Sequence, residues 1–238
     1  MTWNVLYEEA ADNILKLVEE LNPDILCCQE ITTSSYINPG RKLPDEISNA
    51  LGGEYRYLET LSSLNGHPGS MGNAIISKFH IVGDDFGMVQ DGDSDISSSF
   101  QNRGYLEADI LLDSGIIRVG TTHLSYVDGF IETKARSEEA DKLLSFIQDK
   151  RYMVTGDFNS GSDSSTIKKL ETRLNSVGPD HKQATFSSRP FVHNAFAVNG
   201  LEWRLDYIFA SPDITVLSSQ VISTDFSDHL PVLAEIEV

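Results

Sequence analysis

The sequence predicts an α/β fold rich in strands, and three observations carry that expectation. Short apolar runs alternate with amphipathic helical patterns from end to end. No internal repeat or low-complexity linker breaks the alternation. The 238 residues are 40% hydrophobic, enough to bury a core and too many for a disordered chain. Together these predict one large domain over residues 1–238, because α/β domains often exceed the usual single-domain length.

The elements follow in order. Trp3–Leu6 is the first predicted strand. Ala10, Ile14, Leu17, Val18 and Leu21 then fall on one helical face, and Pro23 stops that helix. The unbroken apolar run Ile25–Cys28 predicts a strand buried on both faces. Cys27 and Cys28 are adjacent, so their side chains should point to opposite faces and form no bridge, which makes them small core residues. Leu43–Leu51 has the length of a short helix and is closed by Gly52 and Gly53. Ala74–Ser77, Tyr105–Leu112 and Ile116–Thr122 are expected strands, the last two joined by a turn at Asp113, Ser114 and Gly115.

Ile131, Ala135, Leu143, Leu144 and Ile147 mark a second amphipathic helix. Tyr152–Thr155, Leu205–Phe209, Ile214–Val221 and Val232–Val238 complete the strand set. In the last of these, Val232, Ala234, Ile236 and Val238 share one face, expected to be the buried one. The acidic, serine-rich stretch Gly83–Phe100 has little periodicity and is expected to be a surface loop. Asp91, Asp93 and Asp95 mimic the opening of a calcium loop. Ile96 and Asn102 stand where its turn glycine and bidentate glutamate belong, so the stretch is taken as solvated loop.

Asp and Glu total 36 against 18 Lys and Arg, a formal charge of −18. Such a chain repels phosphate backbones at long range, and no basic block is longer than Lys168-Lys169. A nucleic acid, if it is the substrate, must be drawn in by bound metal and a local basic rim. No apolar run reaches the length of a membrane span, and no secretory signal precedes the first strand. The expectation is a monomeric, cytoplasmic protein with no obligate protein partner.

Polar residues of catalytic type collect at predicted strand ends, where α/β proteins usually build their sites. Asn4 follows the first short strand and Glu30 ends the buried one. His123 ends Ile116–Thr122, and Asp157 and Asn159 follow Tyr152–Thr155. Asp206 opens Asp206–Phe209, and Asp228 and His229 precede the final strand. Any one of these is more often a turn residue. The full set suits phosphoester hydrolysis, which needs hard-cation ligands, a carboxylate to prepare water and donors on the phosphate oxygens. A histidine beside carboxylates should have a raised pKa and carry charge near neutral pH.

Thr2-Trp3-Asn4, Gln29-Glu30, Gly72-Asn73-Ala74-Ile75-Ile76-Ser77, Thr122-His123-Leu124, Gly156-Asp157-Phe158-Asn159, Leu205-Asp206-Tyr207-Ile208-Phe209 and Ser227-Asp228-His229 resemble the successive motifs of the endonuclease/exonuclease/phosphatase superfamily. The resemblance spans essentially the whole chain. It implies a four-layer α/β sandwich, two packed mixed β-sheets flanked by helices, with the site at one sheet edge. It also implies Mg2+, or Mn2+, held by Glu30 with Asn4 nearby and Asp228 approaching. Asp157 would orient or deprotonate water, and Asn159 would donate to the transition state. His229 would contact the scissile phosphate with Asp206 as its orienting partner, and His123 would be a second phosphate-side histidine. Asn73 would line the pocket. Arg103 would contact the substrate or, as the preferred reading, pair with an acid.

Two departures from the motif pattern matter. Only Met1 and Thr2 precede the Trp-Asn pair, so the first strand is very short or begins upstream. Thr122-His123-Leu124 replaces the tyrosine motif of apurinic endonucleases and resembles the deoxyribonuclease, sphingomyelinase, deadenylase, inositol-phosphatase and tyrosyl-DNA phosphodiesterase branches. The leading expectation is therefore a phosphodiesterase or nuclease. A phosphatase or sphingomyelinase-type phospholipase comes second, and an inactive binding protein last. A serine hydrolase on Ser125 lacks the Gly-x-Ser-x-Gly elbow. The substrate rim is expected in Ser34–Lys42, Ser62–Ser70, Gly83–Gln101, Tyr126–Phe130 and His181–Asn199. Arg41, Lys42, His67, Lys182 and Arg189 would supply charge there, and Tyr36, Phe100, Tyr126, Phe130, Phe186, Phe191 and Phe196 would stack on bases or anchor loops.

Overall fold

Adjacent side chains on a strand point to opposite faces, and that alternation sorts this chain into layers. The computed structural model describes residues 1–64, 67–90, 102–148 and 150–238. Its elements are β1 (Thr2–Asn4), α1 (Ala11–Leu21), β2 (Ile25–Thr32), α2 (Leu43–Leu51), β3 (Glu54–Leu64), β4 (His67–Ser77), β5 (Ile81–Gln90), β6 (Arg103–Leu112), β7 (Gly115–His123), α3 (Lys134–Phe146), β8 (Tyr152–Asp157) and α4 (Ser165–Glu171). They continue with β9 (Asn175–Ser176), β10 (Phe191–His193), β11 (Phe196–Val198), β12 (Asp206–Ala210), β13 (Thr215–Val221) and β14 (Val232–Glu237).

Two six-stranded mixed sheets result, ordered β13-β14-β1-β2-β4-β3 and β5-β6-β7-β8-β12-β9, with β10-β11 as a separate hairpin. Between the sheets lie Cys27, Ile75, Leu106, Ile110, Ile117, Val119, Met153, Ile208 and Val232. Outside the first sheet, Ile14, Val18, Leu43 and Ile47 of α1 and α2 cover Trp3, Leu26, Cys28 and Ile76. Outside the second, Leu143, Ile167 and Leu170 of α3 and α4 cover Tyr105, Tyr152, Val154 and Phe209. Helix, sheet, sheet, helix is the expected four-layer α/β sandwich. Cys27 and Cys28 are free, buried and on opposite faces of β2, as the alternation requires. Among the described residues no helix is long and apolar enough to cross a membrane.

Two differences from expectation have a common cause. Gly83–Gln90 is not loop: it belongs to β5, an edge strand paired with β6. Val82 and Phe86 of β5 are exposed at 46% and 60%, so the strand is fixed by its backbone ladder and carries little apolar period. β3 is likewise held at a sheet edge by β4 alone, and it extends with β4 into the expected Ser62–Ser70 rim. The aspartates at 91, 93 and 95, with Phe100 and Gln101, lie outside the described residues.

Candidate active site

The site forms where the ends of several strands meet. In the second sheet, β7 and β8 are parallel and pair His123 with Asp157, while antiparallel β12 pairs Asp206 with Asp157. Directly paired residues project to the same face. His123, Asp157 and Asp206 therefore form one row, aimed at the first sheet. From that sheet Asn4 of β1 reaches across, and its amide nitrogen donates to Asp157 Oδ2 and to Glu30 Oε1, each at 3.1 Å.

Glu30 reaches the same spot through a bulge. The register of β2 against β4 slips between Cys28 and Ile31, and Glu30 takes a left-handed φ of 57°. In an unbroken strand Glu30 would share the outer face with Cys28. The bulge takes it out of that alternation, at the local cost a non-glycine residue bears in this region. Gln29 instead spans the two sheets, donating to Thr2 Oγ1 at 3.1 Å and Thr121 Oγ1 at 2.8 Å.

His229 comes from the turn before β14. The Trp3 indole donates to its carbonyl at 3.0 Å. Ser227 Oγ donates to the Asn4 carbonyl at 2.7 Å and accepts from His229 N–H at 3.1 Å. The turn is thereby pinned to β1. The ring has its Nδ1 2.9 Å from Asp206 Oδ2 and its Nε2 3.6 Å from Asp157 Oδ2. Asp206 is itself steadied by Thr185, whose Oγ1 accepts from the backbone N–H of Leu205 and of Asp206. Trp3 and Ser227 lie inside quoted motifs, but their anchoring roles are invisible without the fold. Thr185 carries no local sequence signal, and Phe186, expected only as a rim aromatic, packs against the His229 ring.

The remaining candidates divide. Asn159 N–H donates to Asp157 Oδ1 at 2.9 Å, and its side chain donates to the Leu124 carbonyl at 2.9 Å, which commits one of its amide hydrogens. His123 Nε2 is 3.5 Å from Asp157 Oδ2 and its Nδ1 is 4.0 Å from Glu30 Oε1. Asp228 sits half-buried beside His229 and acts electrostatically on both Glu30 and His229. Asn73 lies opposite the bulge but donates to the Gly104 carbonyl at 3.1 Å. Arg103 is 3% exposed and borders the site, where it feels the charges of Glu139, Glu30 and Asp157. Asn4, expected among the metal ligands, turns nitrogen to the carboxylates, and its oxygen accepts from Leu6 N–H.

Burial and charge set the protonation states. Burial opposes a charged His229, but Asp206, Asp157 and Asp228 outweigh it and hold its pKa well above the ordinary value. His123 goes the other way: burial, then the cations Arg103 and His229, press its pKa well down. The expectation that a histidine beside carboxylates is charged thus fits His229 and fails for His123. Burial pushes Asp157 up against the pull of His229, and burial with the like charge of Asp228 pushes Glu30 up.

Asp157, Asp206 and His229 offer ligand atoms all within 4.8 Å of one another. That trio already holds its own cation in the imidazolium. Glu30 with Asp228 is the crowded acidic pair that a bound cation would relieve, and its hard oxygen donors suit Mg2+ or Mn2+.

Carboxylates, a histidine held by an aspartate and a second histidine thus gather at one edge of a four-layer sandwich. The model of the endonuclease/exonuclease/phosphatase family matches residues 1–229, and the chain belongs to that family. It is accordingly a phosphoester hydrolase. The fold resembles an endonuclease/exonuclease/phosphatase from Beutenbergia cavernae at 18% identity and TM-score 0.81, covering 100% of this chain and 70% of that one. It resembles a mannosyl-6-phosphatase from Bacteroides thetaiotaomicron at 21% identity and TM-score 0.69, covering 100% and 98%. It resembles the human Nocturnin catalytic domain at 20% identity and TM-score 0.72, covering 99% and 91%. No curated protein matches the sequence.

Proposed function

We propose that this chain is a divalent-cation-dependent phosphodiesterase that cleaves its substrate by in-line attack of water. The observation that supports it best is the position of Asp157. It is 1% exposed, oriented by Asn4 and by Asn159 N–H, and faced by both histidines. A carboxylate held this way is suited to orient water and take its proton. The His229 imidazolium, kept charged and in one orientation by Asp206, would donate to a phosphate oxygen. Neutral His123 would hydrogen-bond on the same side, and the second amide hydrogen of Asn159 would be available to the transition state. Glu30 and Asp228 would hold Mg2+ or Mn2+, with Asn4 aligning Glu30 against Asp157. When bound, the cation would supply Lewis-acid neutralisation of the phosphate charge.

A monoester or lipid-headgroup substrate is the second reading, favoured by the net charge of −18, which disfavours a long polyanion. A substrate panel with Mg2+ separates the two: single- and double-stranded DNA, RNA, a 5′-tyrosyl oligonucleotide, sphingomyelin and inositol phosphates. EDTA should abolish turnover of whichever is cleaved. Mg2+ should also raise the Tm of the wild type and not of Glu30→Gln, a readout independent of activity. Turnover indifferent to EDTA, or an equal Tm rise in both proteins, would refute the metal assignment.

A further inference from the structure

The catalytic histidine is the first ring of an aromatic wall. Phe186 lies 4.7 Å from the His229 ring, centroid to centroid, tilted by 45°. Phe191 is 5.1 Å from Phe186, Tyr126 is 6.1 Å from Phe191, and His193 is 5.3 Å from Tyr126. Phe186 and Phe130 are 2% and 5% exposed and form the floor. Phe191 and Tyr126 are half-buried, so each keeps part of its ring towards solvent. They come from different segments, the β10-β11 hairpin and the loop after β7. Asp128 clamps the two together, accepting from Tyr126 OH at 2.9 Å, from His193 Nδ1 at 2.7 Å and from Asn194 Nδ2 at 3.2 Å. Two of these contacts tie the hairpin to the loop, adding to the packing of Phe191, Phe196 and Val198 against Phe130 and Phe186.

The charge of the expected rim points the same way. Arg189 is engaged by Glu9 at 2.9 Å, and Arg41 by Asp12 at 2.7 Å and by Glu46. The two rim arginines are thus matched by acids, which leaves the exposed Lys42 and Lys182 as the rim's lysines against a chain of net charge −18, a poor track for a second or third substrate phosphate. A flat, uncharged ring on one phosphate matches what the rim offers. The wall's edge carries polar atoms, the Tyr126 hydroxyl and the His193 imidazole, as a heteroaromatic ring needs and an alkyl chain does not.

Building on the phosphodiesterase reading, we propose that Phe191 and Tyr126 determine specificity: Phe191 stacks on a single nucleobase carried by a small phosphodiester, and Tyr126, at 72° to it, meets the edge of that base. Thymidine 5′-(p-nitrophenyl) phosphate and methyl p-nitrophenyl phosphate share a leaving group and differ in the nucleoside that replaces methyl, so the change in their kcat/KM ratio on altering Phe191 isolates the wall. With Mg2+ the wild type should prefer the thymidine ester by about tenfold or more, the scale of one base on one aromatic side chain. Phe191→Leu keeps an apolar side chain and should bring the ratio towards unity mainly through KM. Phe191→Tyr should restore it, and all three proteins should share a Tm within a few degrees. If both esters are cleaved at equal kcat/KM, or if Phe191→Leu leaves the preference intact, the wall assignment is wrong while the hydrolase reading stands. If sphingomyelin is cleaved in preference to both, the wall takes a lipid and the proposal also fails. If the wild type cleaves neither ester, the phosphodiesterase reading falls and takes this proposal with it.

Discussion

Asp157 is the residue on which the site's chemistry and the fold's stability pull in opposite directions. It is buried, its neighbours include Asp206, and its charge is held inside the molecule by His229. Asn at that position keeps the shape and one acceptor oxygen but removes a desolvated charge. Asp157→Asn should therefore lose about a hundredfold or more in kcat on a confirmed substrate, since it can neither orient nor deprotonate water as the carboxylate does. Its Tm in EDTA should be unchanged or higher. A large Tm loss would show that the carboxylate is structural, and near-wild-type turnover would remove it from the mechanism. Asp206→Asn tests the next position out. It should lower kcat by leaving His229 without its charged partner, and the loss should not add to that of Asp157→Asn, because both act through one constellation. Sequence reading found these carboxylates because acidic residues at strand ends stand out against apolar runs. It could not find Thr185, and it named Phe186 only as a rim aromatic, because their contributions come from contacts with Asp206 and His229 in distant segments.

At the scale of elements, the site depends on how closely β7 and β8 approach. Gly156 has a φ of 149°, and a Cβ there would overlap the Thr122 carbonyl oxygen of the neighbouring strand. Gly156→Ala must then push the strands apart or twist the residue that follows, which is Asp157. A fall in Tm together with near-complete loss of activity is the expected result, and a variant with wild-type values of both would refute the close-approach argument. The entry to α1 makes a second test. Ala10 cannot cap the helix, and Asn38 does so from another loop, accepting from Ala11 N–H at 2.9 Å and donating to the Glu9 carbonyl at 2.7 Å. Asn38→Ala should cost roughly 1–3 kcal/mol in chemical denaturation, because it strands buried backbone groups. Elements with an apolar period were legible beforehand: α1, α2, β2, β6, β7, β8 and β14 all lie where the pattern puts them, give or take a few residues. β3 and β5 were not, because edge strands are specified by pairing with β4 and β6 and need no continuous apolar face. Glu30 was legible as a residue, and the bulge that aims it was not.

For the whole molecule the dominant fact is a formal charge of −18 at pH 7. Nucleic-acid affinity at physiological salt comes largely from cations that displace counterions along the phosphate backbone. Here Arg41 and Arg189 are matched by acids, and Arg103 is buried among Glu139, Glu30 and Asp157. On the proposed reading, the positive charge at the site is concentrated on His229 and on the cation that Glu30 and Asp228 would hold, enough to draw one phosphate and too little to track many. Random duplex DNA should therefore bind no tighter than about 10⁻⁴ M at physiological ionic strength in EDTA, the weak end of non-specific binding, measured by fluorescence anisotropy. Lowering the salt should strengthen it little, since few counterions are released per complex. Sub-micromolar binding without metal, or a steep salt dependence, would mean that a basic surface exists elsewhere, and the long-polymer substrates would regain priority over small phosphodiesters. Weak binding is compatible with cleavage, because a substrate held at one phosphate and one stacked ring needs no extended footprint.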